Sequence, residues 1–132
     1  MLSIFDAASA AAVLAQPLSP ALRALITDRL NDAQAIGLSD QTHILVVEPG
    51  DTEEAIRQEI GWSPLVHPID GVPFGTGEFL PHWSWLQDVG GYYELLHTVG
   101  NFGFAYILLI KDAPGVPAEL VAMCRQYAGE AP

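Results

Sequence analysis

Hydrophobic periodicity is clearest in SPALRALITDRLNDAQAIG, residues 19–37. Leu22, Leu25, Ile26, Leu30, Ala33 and Ile36 fall on one face of a 3.6-residue period, with Arg23, Asp28, Asp32 and Gln34 mostly elsewhere. Ser19 is a good N-cap, Pro20 suits the first helical position and Gly37 lies past the end, so a helix is predicted near 20–36. Ahead of it, MLSIFDAASAAAVLAQP reads as a shorter helix near 3–14, opened by a loose capping box of Ser3 and Asp6 and broken by QPLSP. THILVVE is apolar on both faces, as a central strand near 42–48 requires. The PGD turn then leads to a helix near 52–60, capped by Asp51 or Thr52, with Glu53 and Glu54 at the positive end of its dipole.

YYELLHTV and FAYILLI flank GNFG and read as a hairpin with strands near 92–99 and 104–110. The second is apolar on both faces and therefore central. The first carries Glu94 and Thr98 on one face and His97 on the other, which suits an edge strand. Pro117 opens a last helix near 117–128. Between these blocks, residues 61–81 hold four prolines and four glycines, a loop of a length that is uncommon in compact domains and usually functional when ordered. PHWSWLQDVGG after it reads as one or two helical turns, which would point Trp83 and Trp85 about 200° apart. The order implies an α+β fold, a small mixed or antiparallel sheet with helices over at least one face.

Length adds that the 132 residues form one domain, with residues 1–18 peripheral to it. No window reaches the roughly 18 uninterrupted apolar residues of a membrane span. The apolar start lacks a basic n-region and carries Asp6 instead, so a cytoplasmic protein is expected. Charge sharpens the picture. The net charge is −11, from 16 acids against 5 bases, and residues 40–94 hold ten acids with Arg57 as their one base. Such a field disfavours nucleic acid and anionic membrane surfaces as partners. It suits solubility, or docking onto a basic protein. Glu53, Glu54 and Glu59 are the candidate acidic face.

Candidate chemistry is sparse. Cys124, the only cysteine, sits in a helical pattern beside Leu120 and Tyr127 and reads as a packed thiol. ELLH matches an E-x-x-H metal motif, but on a strand Glu94 and His97 face opposite sides, so no metal site is expected there. GVPFGTG lacks the Lys-Ser/Thr of a phosphate loop. What remains is a cluster by proximity: Trp62, His67 and Asp70 in the loop, then His82, Trp83, Trp85 and Asp88. Asp70 with His67 or His82 has the group types for acid–base work, although a turn-capping aspartate and surface histidines is the plainer reading.

HILVVEPGDTEEAIRQEIGWSPL and PHWSWLQDVGGYYELLHTVGNFGFAYILLI resemble segments of small bacterial proteins, chiefly alphaproteobacterial, to which no activity is assigned; the similarity spans about residues 40–128. It implies a single domain and brings no catalytic residues. The sequence therefore favours a non-enzymatic acidic interaction module, binding a basic protein or itself as a homodimer, with no catalytic residue, metal or cofactor assigned. The alternative is a small ligand-binding protein or enzyme with its pocket under the 61–81 loop.

Overall fold

The computed structural model describes residues 1–35, 37, 42–61, 63–65, 82–99 and 104–128, with the backbone alone at 82, 97–99, 104 and 105. These residues form an α+β fold. Strand β1 (Leu2–Ile4) leads into helices α1 (Ala7–Leu14) and α2 (Pro20–Ala35). Then come β2 (Thr42–Val47), α3 (Glu53–Ile60), β3 (His82–Leu86) with a 3₁₀ turn at Gln87–Val89, β4 (Tyr92–Val99), β5 (Phe104–Lys111) and α4 (Ala118–Ala128). The five strands make one sheet in the order β1-β2-β5-β4-β3. Strand β2 runs parallel to β5, with Ile44 opposite Ile107 and Val47 opposite Ile110, and every other neighbouring pair is antiparallel.

Helices cover both faces. On one, Ile56 and Ile60 of α3 and Leu120, Val121 and Cys124 of α4 pack on Leu45 and its neighbours. On the other, Val13 of α1 and Leu22, Leu25 and Ile26 of α2 pack on Ile44, Val46 and Leu109. Strands β2 and β5 are thus buried on both sides, which is why both read as unbroken apolar runs.

The local signals acted much as expected in α2 and α3. Ser19 Oγ accepts from the Leu22 N–H, and Thr52 Oγ1 accepts from Ala55 N–H at 3.1 Å. Gly61 closes α3 in the left-handed conformation that favours glycine. Asp51 turns back to accept from the Glu48 N–H rather than capping the helix.

Three expectations are corrected. Residues 2–4 are a strand, not the first turn of a helix, and the N-cap of α1 is Asp6. Its carboxylate accepts from Ser9 N–H at 2.7 Å while Ser9 Oγ accepts from Asp6 N–H at 3.0 Å, a capping box displaced three residues from the Ser3–Asp6 one. His82–Leu86 is a strand, not helical turns. As a result β4 is an inner strand between β5 and β3, and Glu94, the residue that suggested an edge, is buried.

Candidate functional site

Strand β3 reads HWSWL, a period-two alternation that places Trp83 and Trp85 on one face of the sheet. The helical geometry that would separate them does not occur. Trp83 lies opposite Leu95 and stacks on Tyr127 of α4 with ring centroids 5.8 Å apart. Trp85 lies opposite Tyr93 with centroids 4.7 Å apart. Both are partly buried and pack on the α3–α4 side of the core. The two-glycine turn Gly90–Gly91 has positive φ at both residues and carries the chain from the 3₁₀ turn into β4 directly beneath Trp85. The tryptophans therefore close the far end of the core. The Trp85 indole N–H is buried with no hydrogen-bond partner among the described residues.

Of the rest of the proximity cluster, Asp88 and the backbone of His82 are among the described residues. Asp88 is exposed on the 3₁₀ turn. His82 takes the β3 position opposite Leu96, one residue out of step with Trp83. Trp62, His67 and Asp70 lie outside the described residues, as does most of the 61–81 loop. Glu94 and His97 are three positions apart on β4, an extended strand and not a helix. Among the described residues, no group of three or more His, Cys, Asp or Glu is placed to hold a metal ion.

The three α3 acids also separate. Glu53 is half-buried and accepts from Ser63 Oγ at 2.6 Å. Glu54 and Glu59 are exposed, but five residues of helix put them about 140° apart. The more telling pattern is in the bases. The Arg29 guanidinium forks onto the buried Glu94 carboxylate at 2.5 and 2.8 Å, joining α2 to β4. Arg23 donates to the carbonyls of Leu14 and Gln16, bracing the α1–α2 connection. Lys111 donates to the Gly90 carbonyl at 2.7 Å and lies over the Tyr92 ring. Arg125 pairs with Asp112 at 2.8 Å, and Asp112 also accepts from the Tyr93 hydroxyl. Four of the five basic side chains are thus engaged by the fold itself. Among the exposed acids are Asp28, Asp32, Glu54, Glu59, Asp88 and Glu119.

Two further groups bear on chemistry. Cys124 is fully buried, and burial first, then the Asp112 charge, pushes its thiol up to about 12, so it is a packing residue. Ser3 Oγ lies 2.6 Å from His43 Nε2, both half-buried. Sequence reasoning missed this pair, because forty residues separate its members and no motif links them; only the β1–β2 pairing brings them together. No helix among the described residues is long and apolar enough to cross a membrane. Searches with family models, against curated proteins and against solved structures find no match to this chain.

Proposed function

We propose that this chain is an acidic interaction module that binds a basic protein surface and carries out no catalytic turnover of its own. The observation that carries this reading is the allocation of charge: in a chain of net charge −11, four of the five cations are held in intramolecular contacts while Asp28, Asp32, Glu54, Glu59, Asp88 and Glu119 face outward on α2, α3, α4 and the β3–β4 turn. A field of one sign accelerates encounter with the opposite sign and discourages phosphate-bearing partners. It acts over about one Debye length, ~10 Å at 0.1 M salt. Self-association as a homodimer is the competing outcome; like charge on both copies opposes it.

The test is kinetic. A partner captured from the source cell is purified, and its association rate is measured against the wild-type chain and a Glu54→Lys, Glu59→Lys, Glu119→Lys variant at low and high salt. The expected result is a rate that falls by about tenfold or more on charge reversal and steeply with salt. A rate indifferent to both, or sedimentation showing only a self-dimer of unchanged affinity, overturns the reading.

A further inference from the structure

The Ser3–His43 pair lies where β1, the edge of the sheet, meets β2, and among the described residues no strand lies on the outer side of β1. Ser3 is opposite Leu45 and His43 is opposite Tyr106 in the register. The His43 ring sits between two others, Phe5 at 5.7 Å and Tyr106 at 6.1 Å between centroids, and Phe5 is about half exposed at 51%. From α3, the carboxylate of Glu59 acts on the imidazole through space. A serine hydroxyl hydrogen-bonded to an imidazole is the core of an activated nucleophile, and here the pair stands beside an apolar ring at an open edge.

We propose that Ser3 is a nucleophilic serine, activated by His43, that accepts an acyl group from activated acyl esters. In the Nδ1–H tautomer of His43, Ser3 O–H donates to Nε2, the geometry that proton removal requires. As Ser3 Oγ bonds to the ester carbonyl carbon, its proton passes to His43 Nε2. The bond from that carbon to the alcohol oxygen then breaks, and the departing alkoxide takes the proton back from His43. The net change is an O-acylated Ser3 and one free alcohol, with His43 returned to its neutral form. Glu59 is a positioning residue: its charge stabilises the imidazolium formed between the two proton transfers. Phe5 and Tyr106 supply apolar surface for the acyl or leaving group. Burial, only partly offset by Glu59, lowers the His43 pKa from its ordinary value, which keeps the ring a proton acceptor at neutral pH.

The experiment uses p-nitrophenyl acetate as the probe, release of nitrophenolate as the rate, and tandem mass spectrometry to locate the acetyl group. The expected result is acetylation of Ser3, leaving the exposed Ser19 unmodified, slowed about a hundredfold in His43→Gln and several-fold in Glu59→Gln. Circular dichroism establishes that each variant is folded. Should His43→Gln fail to fold, the pH profile of the wild-type rate decides instead. A sigmoid with its midpoint below about 6.5 supports the inference, whereas a rate that climbs in proportion to hydroxide overturns it. Acetylation confined to amines, or a Ser3 rate unchanged in folded His43→Gln, also overturns it. A single acetyl per chain supports the inference and leaves the interaction-module reading intact. Continued turnover through Ser3 supports the inference and overturns the absence of catalysis in that reading.

Discussion

Replacing Arg29 by methionine tests whether the α2–β4 contact is a desolvated ion pair. The Glu94 side chain is 3% exposed and that of Arg29 25% exposed, so the two ends of the pair are not equivalent. Methionine fills much of the volume of the arginine stem but leaves a carboxylate sealed beneath α2 with no cation. An uncompensated buried charge costs about 3–5 kcal/mol. In a domain of this size each kcal/mol is worth about 4 °C, so the melting temperature should fall by about 12–20 °C. Glu94→Leu should cost less, about 1–2 kcal/mol, because the arginine head already touches water and can swing out along its apolar stem.

The double variant Arg29→Met, Glu94→Leu removes both charges and should return to within about 1 kcal/mol of the wild type, or exceed it. Urea unfolding followed by circular dichroism measures all four corners of the cycle, and the coupling energy should come out at no less than about 3 kcal/mol. If Arg29→Met alone costs under about 1 kcal/mol, the pair behaves as a surface salt bridge and the desolvation argument fails.

Three further outcomes follow from the packing. Cys124 should be silent to Ellman's reagent at pH 8 in the folded chain and react only at the rate of unfolding, since its thiol is pushed up to about 12; prompt labelling would place it in a surface microenvironment. His43 has a folded pKa below its unfolded one, so the unfolded chain binds more protons between the two values. Stability should therefore be full above about pH 6.5 and decline as the pH falls toward the folded pKa, and His43→Gln, followed by thermal melts across pH 5–8, should flatten that part of the profile. Trp85→Ala should cost about 3 kcal/mol in urea unfolding by removing the ring packed on Tyr93, while a cost near zero would mean the indole lies outside the core.

Most of the architecture was legible because its elements carry signals at short range. The 3.6-residue stripe of α2, the unbroken apolar runs of β2 and β5 and the threonine cap of α3 each depend on residues within a few positions. Strand β3 was misread because Pro81 before it and Gly90 after it resemble helix punctuation. The decisive feature was instead the Trp-Ser-Trp spacing, which buries two large rings together only in an extended chain. The same misreading put β4 at an edge. A charged residue on an inner strand looks like an edge residue until its partner is known, and the partner of Glu94 is 65 positions away on α2. The Ser3–His43 contact was invisible for the same reason, since it exists only once β1 has paired with β2.

The charge of the molecule follows from the same long-range contacts. No dense acidic patch was needed to produce it: Glu54 and Glu59 diverge around α3, and Glu53 turns inward to Ser63. The asymmetry arises because the few cations sit at joints. Arg23 braces α1 against α2, Arg29 ties α2 to the sheet, Arg125 ties α4 to the end of β5, and Lys111 fastens the Gly90 turn. Neutralising any of these cations would loosen a contact and make the net charge more negative at once. In this chain the same few cations that hold the layers together have their charge directed to partners within the fold, which leaves the outward carboxylates unmatched.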